Sequence, residues 1–361
     1  MIRGWCPTAW RPMAAGDGLL VRVRPPLGRL TREQMLGLCD LASTYGNGQI
    51  DMTNRANLQI RGVAENGWEP LVAALVALGL VDPDPQLEAR RAILGAPVWS
   101  AGDDTHRIAS ELERRLSELP DLPGKVGFAI DAGAAPLLSA DPADFRIERG
   151  VNGGLILRAD GRESGVLLAD GGEVDALIAL AEWFVATGGR DAGRMARHHA
   201  PLPGWADGRE RPAAPATMLT PGPHDLGAAR ALPFGRIDAG TFRASGADAF
   251  RTTPWRIVLM EGAAYETGAE ALLRTDACVG APACPQASVE TRDLATLLAP
   301  LIAGRLHVSG CAKGCARSAA ADVVLTGRGG HYDLAFDARA DAMPTLSGLS
   351  APQVLAHFGT L

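Results

Sequence analysis

The chain carries none of the marks of a secreted, membrane-spanning or nucleic-acid-binding protein. Met1-Ile2-Arg3-Gly4-Trp5-Cys6 has no apolar core of the kind a secretory signal needs. The most apolar helical stretch, Val174 to Ala186, is interrupted by Asp175 and Glu182 and is too short to span a bilayer. Lys and Arg form no run, and the formal net charge of −6 produces no field that would attract nucleic acid. An anionic ligand must therefore meet a local basic cluster inside a cleft. No G-x-G-x-x-G stands between a strand and a helix, so a nicotinamide fingerprint is absent. What remains is a globular protein expected in the cytoplasm. Its 361 residues, 47% of them hydrophobic, suffice for two domains of ordinary size.

Cysteine is also scarce, six residues in all, and four of them are grouped. Cys278 and Cys284 enclose Val279-Gly280-Ala281-Pro282-Ala283, and Cys311 and Cys315 enclose Ala312-Lys313-Gly314. Glycine and proline between the thiols let the backbone bend round a bound group. In a reducing compartment such pairs are metal ligands before they are disulfides. On spacing alone three readings stay open. Four thiolates can converge on a 4Fe-4S cluster, with glycine-rich loops supplying backbone donors to its sulfurs. A structural zinc site normally has tighter knuckles, and a chain this large does not need one to fold. Four unliganded thiols would leave the pairing without a reason. The cluster is the strongest of the three. Cys39 shares a helical face with Met35, Leu38 and Ala42 and reads as core, and Cys6 as an ordinary free thiol.

Thr31-Arg32-Glu33-Gln34 has the form of a capping box and opens a helix to about Thr44. Ile50 to Val63 reads as one strand, in which Leu58 and Ile60 alternate with Asn57, Gln59 and Arg61. Further helices are expected from Trp68 to Leu80, Asp103 to Leu119 and Gly172 to His198, and a short strand from Lys125 to Ile130. A hairpin is expected across Gly154 to Leu168, turning at Asp160-Gly161, and a last helix begins at Ser350-Ala351-Pro352-Gln353. Six prolines between Ala200 and Pro223 mark a linker or extended strap.

The two sides of that strap look like copies. Leu27-Gly28-Arg29-Leu30 has a counterpart in Phe234-Gly235-Arg236-Ile237, and Asp51 through Gly62 aligns without gaps on Arg251 through Gly262. Leu94-Gly95-Ala96-Pro97 echoes Val279-Gly280-Ala281-Pro282, and Gly124-Lys125-Val126 echoes Gly304-Arg305-Leu306. In this alignment Ile93, Trp99 and Asp131 stand where Cys278, Cys284 and Cys311 stand, so one copy bears thiols and the other does not. A duplicated α+β protein with a cleft between its halves is the expected architecture.

The Cys-x5-Cys and Cys-x3-Cys pairs on a duplicated scaffold resemble the nitrite and sulfite reductase family. Thr53-Asn54-Arg55-Ala56-Asn57-Leu58-Gln59-Ile60-Arg61 resembles that family's T-T-R-Q-N-L-Q-L strand. The resemblance implies ferredoxin-like half-domains related by a pseudo-twofold axis. The first repeat would cover 1–199, with a half-domain at about 12–82 and a cysteine-free domain at about 90–199. After the linker at 200–223, the second would cover 224–361, with a half-domain at about 224–265 and an iron–sulfur domain at about 268–361. It further implies that Cys278, Cys284, Cys311 and Cys315 bind the cluster.

Trp10 to Val23, Arg251-Thr252-Thr253-Pro254-Trp255-Arg256 and His307 to Cys315 are similar to one branch of that family, the precorrin-3B synthases. This implies a monooxygenase of cobalamin biosynthesis that hydroxylates precorrin-3A at the meso carbon between rings A and D, with closure of a γ-lactone. Dioxygen would supply the hydroxyl oxygen. Electrons would derive from NADH through a separate electron-donor protein, since the chain lacks a dinucleotide motif.

A polycarboxylate tetrapyrrole suits guanidinium forks. Arg22, Arg55 and Arg61, with Arg251 and Arg256 from the second half, stand on strands expected to face one cleft; Lys125, Lys313 and Arg317 are further candidates. Gly127 replaces a second lysine of the reductases, and Pro254-Trp255-Arg256 stands where a T-R-Q is expected. These departures make sirohaem the weaker expectation. The resemblance also implies a mononuclear non-haem iron, but no facial triad is readable. His106 and His307 occupy nearby places in the repeat alignment, and His198-His199 is an adjacent pair. Catalytic residues stay unassigned.

Overall fold

The structure is a computed structural model that describes residues 7–266 and 270–359; Cys6 lies outside them. The chain opens with a hairpin of β1 (Met13–Ala15) and β2 (Gly18–Val23). β3 (Arg29–Thr31) leads into α1 (Arg32–Tyr45), which begins on the expected capping box: Gln34 N donates to Thr31 Oγ1 and Thr31 N to Gln34 Oε1. Met35, Leu38, Cys39 and Ala42 form its buried face, and burial pushes the Cys39 thiol up to about 11, where it stays protonated and inert.

Residues 50–63 are not one strand. β4 (Ile50–Met52) and β5 (Leu58–Val63) are separated by a tight turn in which Thr53 N donates to Asn57 O and Ala56 takes φ 55°. No glycine or proline announces it. The Thr53 hydroxyl supplies the turn chemistry instead, accepting from Arg55 N and Asn57 N. After α2 (Glu65–Ala77) and α3 (Pro85–Arg90), a second sheet follows with β6 (Ile93–Gly95), α4 (Asp104–Arg114), β7 (Phe128–Asp131), β8 (Phe145–Arg149), β9 (Leu155–Ala159) and β10 (Val166–Leu167). β6, β7 and β8 are parallel, and β9 and β10 return antiparallel. α5 (Glu173–Ala186) covers this sheet and stops short of the expected His198, because Gly188 turns left-handed at φ 98° before the short α6 (Gly189–Ala192). The proline-rich strap touches the sheet through bridges of Gly150 to Pro212 and Gly165 to Glu210.

The second half repeats the order. β11 (Gly222–His224), β12 (Gly227–Ala231), β13 (Arg236–Ile237), α7 (Ala239–Ala244), β14 (Ala249–Thr252) and β15 (Ile257–Glu261) match the first half-domain. β16 (Thr275–Ala277), α8 (Arg292–Leu298), β17 (Leu306–Ser309), β18 (Ala321–Arg328), β19 (His331–Ala338), β20 (Leu346–Leu349) and α9 (Ala351–His357) match the domain after it. Backbone details repeat as well: Ala56 and Arg256 take φ 55° and 58°, Leu27 and Phe234 take 52° and 56°. No helix among the described residues is long and apolar enough to cross a membrane.

The half-domains exchange strands. One sheet runs β1-β2-β5-β4-β13 and the other β11-β12-β15-β14-β3, so each takes its last strand from the other repeat. The echo of Leu27 to Leu30 in Phe234 to Ile237 is this crossover. A single core results, with Leu38, Ile60, Phe242, Phe250 and Met260 in one cluster.

The repeat alignment needs one correction. β6 and β16 end at Gly95 and Ala277, β7 and β17 at Asp131 and Ser309. Counted from those ends, Cys278 corresponds to Ala96 and Cys311 to Gly133, not to Ile93 and Asp131. The short Gly-Ala-Pro echo lies mostly in loops, which slip against each other where strands do not.

Glu261 fastens the exchange, accepting from Arg29 Nε and Nη2 at 2.8 and 2.7 Å and from Arg251 Nε at 2.5 Å. Arg29 foremost holds its carboxyl down at about 2 against burial. Because that value lies below the unfolded carboxylate value of 4.5, the stabilisation is fully present above about pH 4.5 and lost as pH falls toward 2. Glu261→Gln is expected to flatten this acid limb, measured as urea midpoints between about pH 5 and 3; equal slopes in both proteins would refute it.

Candidate functional site

The four grouped cysteines lie past the carboxyl ends of two adjacent parallel strands. Cys278 follows β16 directly, Cys311 follows β17 after Gly310, and Thr275, Asp276 and Ala277 pair with Leu306, His307 and Val308. Gly310 N donates to Cys278 Sγ at 3.2 Å, bonding one loop to the other's sulfur. Thr291 Oγ1 donates to Cys278 O at 2.5 Å and Ser309 Oγ to Cys311 O at 2.7 Å, so side chains fix the loop backbones. Gly280 and Gly314 take φ 66° and 61°, which a side chain would strain. All four thiols are free. Burial pushes the Cys315 thiol up; Lys313 draws it back, and the thiols of Cys278, Cys311 and Cys284 push it up again. The bond from Gly310 N to Cys278 Sγ sets the two cysteine loops against each other. Among the described residues, no three His, Cys, Asp or Glu side chains gather closely enough for a single ion.

Both repeats build the surroundings. Gly16 N, in the β1–β2 turn, donates to Ala283 O at 3.1 Å, and a Cβ on Gly16 would stand 2.9 Å from that oxygen. Arg61 holds the same turn by a two-pronged bond to Asp17 at 3.1 and 3.0 Å. Arg292 of α8 reaches Asp51 of β4 at 3.0 and 3.1 Å, both buried. On the other side Arg251, the repeat counterpart of Asp51, donates to Pro97 O and Trp99 O and lies 4.1 Å over the Trp99 ring. Each half-domain thus docks the larger domain of the opposite repeat.

The predicted basic residues divide. Arg22 and Arg55 come together with Arg24 and Asn57 around a small pocket of about 20 Å³, also lined by Leu94 and Gly124. Arg55 Nη1 donates to the carbonyl of Lys125 at 3.0 Å. Lys313 is exposed on the second cysteine turn. The other four are committed elsewhere: Arg61 to Asp17, Arg251 to Glu261, and Arg256 and Arg317 to Asp276 at 3.2 and 3.6 Å. Arg256 also donates to Thr275 O and Leu273 O, both at 2.7 Å. Equivalent placement in the repeats suggested guanidiniums facing one cleft, but it took no account of the carboxylates beside them. Asp276 was missed altogether, although its place two residues before Cys278 is visible in the sequence.

The histidines do not converge. His106 sits in the first turn of α4, where its Nδ1 accepts from Gly102 N and its ring lies on Trp99, whereas His307 is on strand β17. They are not repeat equivalents. His198 packs between Trp183 and Phe184 and bonds Thr187, and His199 is exposed. His307 is fully buried with no partner at either ring nitrogen, and burial holds its pKa below the ordinary value.

Residues 11–78 match the nitrite/sulfite reductase ferredoxin-like half domain family. A precorrin-3B synthase from Sinorhizobium sp is 32% identical over 397 aligned positions, covering 96% of this chain and 85% of that protein. A ferredoxin–nitrite reductase from Synechococcus elongatus is 31% identical over 153 positions, but this covers 39% of this chain and 30% of that protein. The solved structure of the Mycobacterium tuberculosis NirA protein superposes with a TM-score of 0.56 over 88% of this chain and 74% of that one, at 18% identity. That likeness establishes a shared α+β fold.

Gly16→Val should displace the first cysteine loop, because the added side chain meets backbone rather than a flexible tip. Faster labelling of Cys284 by a thiol reagent in metal-free protein is the expected result, and an unchanged rate would show that the hairpin does not support the loop.

Proposed function

This chain belongs to the precorrin-3B synthase family, and on that premise we propose that it converts precorrin-3A to precorrin-3B in cobalamin biosynthesis in the cytoplasm. In this reaction one atom of O2 becomes the hydroxyl at the meso carbon between rings A and D, and the other leaves as water. Two electrons originating from NADH and two protons balance that water, and the ring A acetate closes the γ-lactone. The observation that carries the reading is the identity with a precorrin-3B synthase along nearly the whole chain, where the reductases match only part of it.

Cys278, Cys284, Cys311 and Cys315 are the residues that would hold a 4Fe-4S cluster. They stand on two loops bonded to each other past the ends of adjacent parallel strands, and a backbone N–H already meets one of the sulfurs. The cluster, when bound, supplies single-electron transfer. Lys313 offsets the negative charge of the thiolates beside it. Arg22 and Arg55 meet carboxylate arms of the tetrapyrrole at the mouth of their small pocket, with the macrocycle lying outside it. Lys125 adds a cation at the same rim. A separate carrier protein delivers the electrons.

Two substitutions speak against a fully clamped sirohaem. A side chain at Gly127 would start 3.1 Å from Ala92 O and 3.8 Å from Arg55 Nη1, where a lysine would meet a like charge. Trp255 fills the other turn, packing with Ala56, Leu94 and Ala96 and donating to Asp141 Oδ2 at 3.2 Å.

Protein purified without oxygen should contain acid-labile sulfide and show no chlorin bands, and with a reductase and carrier it should incorporate one atom from labelled dioxygen. Chlorin bands, or turnover on NADH with no second protein, would refute the reading. Cys311→Ser should abolish cluster assembly, and Cys39→Ser should leave the iron content intact. Arg55→Ala should raise KM for precorrin-3A by about 10- to 100-fold, the loss of one charge-assisted hydrogen bond, with the cluster spectrum unchanged.

A further inference from the structure

Asp276 is the most heavily engaged carboxylate near the cysteines. It is 8% exposed, lies two residues before Cys278 on β16, and pairs with Arg305 at 3.1 Å, Arg256 at 3.2 Å and Arg317 at 3.6 Å. Each arginine belongs to a different segment. Arg305 precedes β17, Arg317 stands two residues after Cys315, and Arg256 sits in the turn between β14 and β15. Arg317 N also donates to Gly314 O at 3.2 Å, inside the second cysteine turn's own hydrogen bonding. His307, the strand partner of Asp276, lies under that turn, its Cε1 3.6 Å from where a Cβ of Gly314 would stand.

One carboxylate faces three guanidiniums, so positive charge exceeds negative around Asp276; Arg317 lies in the second cysteine turn, whereas Arg256 and Arg305 also bond Leu273 O at the amino end of β16, and Asp322 accepts from Arg305 N. Arg256 reaches this group from a turn whose left-handed backbone, φ 58°, its repeat counterpart Ala56 also takes, and its side chain is held by Thr275 O, Leu273 O and Asp276.

We propose that Asp276 is a positioning residue for the cluster: it fixes Arg317 in the second cysteine turn, and Arg256 and Arg305 along the strand that leads to Cys278, and thereby sets how readily the cluster accepts an electron. This rests on the cluster reading above. Adding an electron makes a cluster more negative, so fixed positive charge nearby favours the reduced form, and the effect is large where burial limits screening. Because Arg256 belongs to the second half-domain, the same network ties that half-domain to the cluster's charge.

The test is a potentiometric titration of the loaded protein, followed by the electron paramagnetic resonance of the reduced cluster, with iron and sulfide determined for each variant. Asp276→Asn keeps an acceptor but removes the negative charge, and should shift the midpoint potential upward. Arg317→Gln and Arg305→Gln should shift it downward, and Arg317→Lys should leave it near the wild-type value. Midpoints that do not move, or that all move in one direction, overturn the proposal. If Asp276→Asn alone fails to load, the two arginine variants decide by their sign. Failure of all three to load, with Arg317→Lys loaded, would make the network a structural clamp and also overturn it. A wild-type protein without a cluster would sink the underlying reading instead, an outcome separable by its iron content.

Discussion

Glu261 holds two guanidiniums whose backbones come from different repeats, and the arrangement of the whole molecule depends on that convergence. Arg29 arrives on β3 and Arg251 on β14, neighbours in one sheet although 222 positions separate them in the chain. With the strands exchanged, the half-domains share one core, and the larger domains have fixed places to dock. Asp51 takes one through Arg292, and Arg251 takes the other through Pro97, Trp99 and the face of the indole. A duplicated chain has used opposite charges at equivalent positions for the same task. These contacts are buried, where an unpaired charge would cost several kcal/mol.

The same docking explains why a cleft site can be assembled from distant segments. The first cysteine loop leans on the β1–β2 turn of the other repeat, and that turn is held by Arg61 and Asp17. Arg61 therefore works as a brace. Arg22 and Arg55, a few residues away on the same sheet, line a pocket. The role of Arg61 is set by the Asp17 carboxylate that it grips, and no property of an arginine alone reveals it.

Much of this was legible in the residues. The cysteine spacing, the capping box at Thr31, the helix start at Ser350 and the duplication follow from local chemistry that tertiary contacts do not override. The turn at Thr53 was hidden because a threonine hydroxyl replaced the usual glycine signal, and β8 was missed between two loops. The ion pairs of Arg61, Arg251, Arg256 and Arg317 were not legible, because such pairs join residues as far apart as Arg29 and Glu261. Asp276 shows the same limit: its position was plain, but its three partners come from places only the fold brings together.

The strand exchange has a consequence for how the protein comes into being. A ribosome releases β3 long before β14 exists, and β4, the open edge of the first sheet, must likewise wait, unpaired, for β13. Contacts this distant in sequence make folding slow and leave exposed edges open to mispairing meanwhile. The cysteine loops emerge after both half-domains, and the first of them leans on the β1–β2 turn. Maturation therefore has a built-in order: the central body closes first, and only then does a frame stand ready to receive a cofactor.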